Sequence, residues 1–169
     1  LLKLSVVKRI DGLREVGVIL SGGLDSSYLA LLLKEISENI PLKITLYAVG
    51  AEGSQDIESA IYASKFLNLD LKICEVTEDL VRESLPQVVK AIGDDNLMKV
   101  GVGMTTYLAT KMVAEDGIRV AISGQGADEL FGGYKRYLKS FVDDTLNYDI
   151  REDISNMYHV NLERDDACS

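Results

Sequence analysis

The chain has 169 residues, 47% hydrophobic and 27% charged, which is the balance of one globular domain and excludes a disordered chain. Its 27 Asp and Glu outnumber 18 Lys and Arg for a net charge of −9, which argues against general binding to a nucleic-acid backbone. No apolar run approaches the ~20 residues that span a bilayer, so no membrane partner is expected.

Residues 1–14 read as a short amphipathic lead-in with Leu4, Val7 and Ile10 on one face. Residues 16–20 are an apolar run of strand type, and 24–37 carry Leu29, Leu32, Leu33 and Ile36 at helical spacing, ended by Asn39 and Pro41. The β-rich "KITLYAV" at 43–49 is a second strand, 50–54 a turn, and 56–67 a second long helix through Ile57, Ile61, Ala63 and Leu67. "DLKICEV" at 70–76 is a third strand, after which Thr77 with Asp79 caps a helix running to about Val89. "GDDN" at 93–96 breaks the chain, 103–115 is helical, and 119–122 is a fourth strand. Beyond Ser123 the chain turns and then reads as mainly helical, less apolar and more charged from about Tyr134. Strands alternating with helices of crossover length predict an α/β three-layer sandwich with a mostly parallel sheet. No linker divides the chain, so a single domain over 1–169 is expected, with its core at about 14–137.

Cys74 and Cys168 are far apart and form no CxxC, and His159 stands alone, which argues against a zinc cluster. Two reduced thiols and no visible signal peptide in "LLKL" lead to the expectation of a cytoplasmic protein.

Two stretches carry chemistry. The first strand runs straight into "SGGLDSS" at 21–27 and then into a helix. In a parallel sheet, ligands bind outside the carboxyl ends of strands. Glycines there let the backbone turn tightly, successive N–H groups form an anion nest, and the following helix points its positive end at the same place. Asp25 is out of place beside an anion unless a divalent cation lies between them, and magnesium favours one or two carboxylates plus phosphate oxygens. The loop is neither GxxxxGK[ST] nor GxGxxG. The second stretch, "SGQGADELFGGYKRY" at 123–137, also follows a short apolar strand, and its glycines flank the acid pair Asp128 and Glu129.

"SGGLDSS" resembles the pyrophosphate loop of the PP-loop ATP pyrophosphatases, whose fold is of the adenine nucleotide alpha hydrolase-like kind. Those enzymes cleave ATP between its α and β phosphates and adenylate a substrate oxygen. "SGQGADELFGGY" resembles the second signature of the synthetase domain of the asparagine synthetase family, and "AVGAEGSQDIESAIYASKFL" and "TTYLATKMVAEDGIRVAISG" fit the same likeness, which covers about residues 14–137. The resemblance implies ATP-dependent amide-bond formation with ATP and Mg2+, with aspartate and ammonia as the leading substrates. It implies magnesium on Asp25 and Asp128. It implies pyrophosphate held by Ser21, Gly22, Gly23, Ser26 and Ser27, and adenosine contacts from Leu20, Val49, Ser123 and Gly124. A different carboxylate substrate, or a non-catalytic or partner-dependent ATP-binding module, are the alternatives.

Three departures shape the expectation. The glutaminase that usually precedes this domain, with its cysteine nucleophile, is not in these residues, so ammonia is expected free or from a separate glutaminase partner. Gln125 occupies a slot that is often Glu in asparagine-forming members and Tyr in β-lactam-forming ones. "NLERDDACS" at 161–169 resembles the start of a segment that continues in the family toward further lysines.

Overall fold

A computed structural model describes residues 1–135, 137–152, 154 and 155 of the chain. His159, Cys168 and the stretch 161–169 lie outside the described residues. The chain divides into two units, Leu1–Gly124 and a second that begins at Gln125.

The first unit is built on β1 (Glu15–Ile19), β2 (Lys43–Gly50), β3 (Asp70–Glu75) and β4 (Ala121–Ser123), in the order β3-β2-β1-β4. All three pairings are parallel; Val16 stands beside Ile44, Val49 beside Cys74 and Ile19 beside Ser123. The helices are α1 (Leu2–Ile10), α2 (Leu24–Ser37), α3 (Gln55–Leu67), α4 (Glu78–Ile92) and α5 (Leu97–Glu115).

The period of two in β2 sorts the helices into layers. Ile44, Leu46 and Ala48 join Val16, Val18 and Leu20 of β1 and its extension in one core with Val6, Ile10, Leu33, Ile36, Ile57 and Leu67 from α1, α2 and α3. The alternate residues face the other way: Tyr47 packs with Val113 and Ile118, and Val49 with Val88, Val100, Met104 and Leu108 of α4 and α5. Helices therefore cover both faces, giving the expected three-layer α/β sandwich with a fully parallel sheet. Gly17 lets α5 approach, since a Cβ there would meet Val113 and Tyr47 at 3.1–3.2 Å. The Tyr47 hydroxyl donates to Asp116 at the α5 C-cap, and Lys72 of β3 pairs with the same carboxylate at 2.5 Å.

Several boundaries differ from the sequence reading. The stripe of α1 that is buried is Val6 and Ile10; Leu4 and Val7 are exposed. Helix α5 begins at Leu97, not Gly103, because the Asn96 side chain accepts from Met98 N at 3.0 Å and caps it. Gly103 lies inside that helix, where a Cβ would come within 3.0 Å of Ile92 on α4. Helix α4 runs on to Ile92 and ends at left-handed Gly93, and Thr77 caps its start by accepting from Leu80 N at 3.2 Å. β4 is shifted to Ala121–Ser123, with Val120 O accepting from Gly17 N just ahead of it.

The second unit holds α6 (Ala127–Phe131) and α7 (Tyr137–Val142), and residues 146–152 are also helical. Gly126 and Gly132, both at positive φ, bound α6, and Tyr137 is buried.

Candidate functional site

In the first unit, the loop at 21–23 lies where β1 ends and α2 begins. Leu20 is buried and its N–H donates to Tyr47 O, which carries the β1–β2 ladder one step past the strand. The chain then turns through Gly22 at φ 74°. Gly22 serves packing: a Cβ there would lie 2.5 Å from Ser59 Cβ and 2.8 Å from Asp56 O, both on α3. Gly23 differs, since a Cβ there would meet only Ser21 Oγ, at 3.4 Å.

Ser26 braces the loop from beneath. It is buried, its hydroxyl accepts from Ser21 N at 3.2 Å and donates to Gly23 O at 3.3 Å, and it lies 3.1 Å from Ser21 Oγ. Ser21 is exposed, while Ser27 and Asp25 are half-buried. Gly23 caps α2 with no side-chain bond, so the first N–H groups of a 14-residue helix are left to a ligand or solvent. That arrangement can hold an anion, and Asp25 in the first turn adds one carboxylate beside it.

Val49, Ser123 and Gly124 stand at the carboxyl ends of β2 and β4, the strands flanking β1. Gly124 touches the start of α2; a Cβ there would be 3.0 Å from Ser26 N and 3.1 Å from Asp25 Cβ. The residues of the first unit singled out from sequence thus collect at one edge of the sheet, the edge where ligands of parallel α/β folds bind. A groove of about 510 Å³ between α2 and α3 borders the loop at Gly22 and Ser27, and Tyr28, Tyr62 and Phe66 make it apolar and unlike a phosphate site.

In the second unit, Gln125 is exposed, and Asp128 and Glu129 lie half-buried in the first turn of α6. Sequence reasoning placed Gly133 among the glycines flanking the acid pair and Tyr134 within the quoted motif, but gave neither a role. Tyr134 donates its hydroxyl to Glu129 Oε1 at 2.5 Å. The signal was present as the Gly-Gly-Tyr after the acid pair, but its return onto α6 depends on the left-handed Gly132.

Among the described residues no group of three or more His, Cys, Asp or Glu side chains is arranged to hold a metal. One carboxylate, Asp25, beside an uncapped helix start is a donor set that fits a cation carried on phosphate oxygens, as magnesium is. Among the described residues no helix is long and apolar enough to cross a membrane.

Solved structures share this fold. An NH3-dependent NAD synthetase of Campylobacter jejuni superposes with a TM-score of 0.53 at 23% identity, over 78% of this chain and 57% of its own. A U34-tRNA thiolase of Methanococcus maripaludis gives 0.56 at 18% identity, over 86% and 50%. A protein of Methanocaldococcus jannaschii named as an asparagine synthetase of the glutamine-hydrolyzing kind is 46% identical over 99% of this chain. The asparagine synthetase (glutamine-hydrolyzing) of Rattus norvegicus is 30% identical over 80%. This chain spans 31% and 25% of the length of those two relatives. The asparagine synthase family model matches residues 1–165, which takes in both Gly-rich motifs and the whole parallel sheet that carries the first. By that match the chain belongs to the asparagine synthase family.

Proposed function

We propose that this chain is the ATP-using part of a cytoplasmic carbon–nitrogen ligase, which joins an amine to a carboxylate through an acyl-adenylate. Aspartate and ammonia, giving asparagine, are the leading pair. The observation that carries the reading is the loop at the end of β1: an internally braced Ser-Gly-Gly turn, an uncapped α2 and Asp25 in its first turn.

The chemistry is two displacements. A carboxylate oxygen of the substrate attacks the α-phosphorus of ATP, the bond to the bridging oxygen breaks, and pyrophosphate leaves. The amine nitrogen then attacks the acyl carbon and loses a proton, and AMP leaves. The α2 N–H groups and the Ser21 and Ser27 hydroxyls hold pyrophosphate, with Gly22 and Gly23 shaping the turn and Ser26 bracing it from beneath. Leu20, Val49, Ser123 and Gly124 take the adenosine part. Asp25 and, in the second unit, Asp128 would each offer a carboxylate to magnesium, which when bound would supply charge stabilisation at the α-phosphate and the leaving group.

Ammonia is free or is supplied by a glutaminase that lies outside these residues. Burial pushes the Cys74 thiol up from its ordinary range, against the pull of Lys111, so it is a poor nucleophile at neutral pH. Glutamine hydrolysis by this chain that disappears in Cys74→Ala would overturn this assignment.

The test of the reading is release of AMP and pyrophosphate from ATP with aspartate and ammonia. Release that requires both substrates supports it, and release indifferent to aspartate moves the reading to another carboxylate. Gln125 favours a second reading, an ATP-binding module that needs a partner for amide formation, because Gln cannot take a proton at neutral pH. Adenylation of an ionised carboxylate needs little base, whereas the attacking nitrogen must lose a proton. Gln125→Glu is therefore expected to raise amide formation while leaving substrate-dependent exchange of pyrophosphate into ATP nearly unchanged. A fall in both rates together would mean that Gln125 is tuned to another substrate.

A further inference from the structure

The Gly-Gly-Tyr that follows α6 folds back onto the acid pair at the helix start. Gly132 ends α6 at φ 71°, and Gly133 N donates to Asp128 O at 3.0 Å. The Asp128 side chain lies directly against Gly133, where a Cβ would overlap its Oδ1 and sit 3.0 Å from its Cγ. One residue on, the Tyr134 hydroxyl donates to Glu129 Oε1 at 2.5 Å, and the Tyr134 ring rests on buried Tyr137 with centroids 5.9 Å apart. A hydroxyl bonded to a carboxylate is among the stronger neutral-to-charged hydrogen bonds, and a ring held on a buried neighbour costs little further entropy to fix. The two adjacent acids are thus held by different devices, one by a phenol and one by the space over a glycine.

We infer that Tyr134 and Gly133 are positioning residues for Asp128. Tyr134 fixes Glu129, and with it the single turn of helix that carries both acids; Gly133 leaves the room that the Asp128 carboxylate occupies. The inference rests on the reading of Asp128 as a magnesium ligand. Groups that orient a ligand from behind matter for cation affinity although they never touch the cation.

The experiment is a calorimetric magnesium titration at fixed ATP, with a thermal melt of each protein. The proteins are wild type, Asp128→Asn, Tyr134→Phe, Glu129→Gln and the Tyr134→Phe/Glu129→Gln double variant. Tyr134→Phe keeps the ring and removes only the hydroxyl, so a cooperative melt is expected together with a roughly 10-fold rise in the magnesium concentration for half-saturation. Glu129→Gln keeps an oxygen that accepts from the Tyr134 hydroxyl but takes away its charge, so it should shift the value by a smaller factor, and the double variant by no more than Tyr134→Phe alone, because both changes act on one bond. If Tyr134→Phe fails to fold, Glu129→Gln alone decides the question. Wild-type magnesium dependence in Tyr134→Phe and Glu129→Gln, alongside its loss in Asp128→Asn, overturns the positioning role and leaves the magnesium reading standing. Fully additive shifts also overturn it. Unchanged magnesium dependence in Asp128→Asn overturns the magnesium reading and this inference with it.

Discussion

Gly22 and Gly23 are neighbours with opposite tolerances. Gly22 combines a left-handed φ with a backbone contact to α3, so Ala there meets both conformational cost and overlap. Gly22→Ala is expected to destabilise the fold by about 2–4 kcal/mol, and Gly23→Ala by under about 1 kcal/mol, in urea melts. Equal costs would contradict the packing role given to Gly22. From sequence these glycines are expected to permit approach to a ligand; the approach of Gly22 to α3 is not legible there, because it depends on where a separate helix lies. The same holds for Asp116, an acid after a helix with nothing in its own neighbourhood to distinguish it. In the fold, Lys72 and then the Tyr47 hydroxyl hold its carboxyl below the usual carboxylate range, and burial with the Asp116 bond pushes the Tyr47 phenol up. A depressed folded-state carboxyl stabilises above its unfolded value of about 4 and loses that contribution as pH falls through the folded value. Asp116→Asn should therefore lose less stability than wild type between pH 5 and pH 3 in denaturant melts at fixed salt. An identical acid slope in both would remove Asp116 from the acid response.

Helices and strands were most legible where their own residues set the period. The span of α2 from sequence coincides with Leu24–Ser37, and β2 lies within a residue of its expected end. The reading was weakest where a boundary depends on a cap or a partner. "GDDN" has turn composition, yet its Asn caps α5 six residues ahead of the expected start. β4 is only three residues long, and its bounds follow the reach of β1 beside it and not its own composition. Asn96→Ala is expected to cost about 1 kcal/mol and to fray the first turn of α5. Hydrogen exchange should show faster exchange at Met98 and Lys99, whose N–H groups the Asn96 side chain accepts, with Ala109 unaffected. Protection at Met98 and Lys99 equal to wild type would show that the cap does not set the start of α5.

Across the whole molecule, the three-layer α/β architecture was legible because alternation of strand and helix constrains the topology of a parallel sheet. The two motifs were legible because chemistry at a strand end needs glycine, hydroxyl and acid at short spacing, and short spacing survives in sequence. The brace from Ser26 and the fold-back of Tyr134 were not, since each depends on local conformation rather than composition. The central claim is that the loop after β1 holds the pyrophosphate part of ATP with a cation on Asp25. Calorimetry of pyrophosphate and of ATP, each with magnesium, on wild type and Asp25→Asn tests it most directly, with Asp79→Asn on the exposed start of α4 as a charge control. Losing a cation ligand should weaken both ligands by roughly 10-fold or more, while losing an exposed charge should change little. The account predicts weaker binding of both in Asp25→Asn and near wild-type binding in Asp79→Asn; wild-type affinity for both ligands in Asp25→Asn would contradict it.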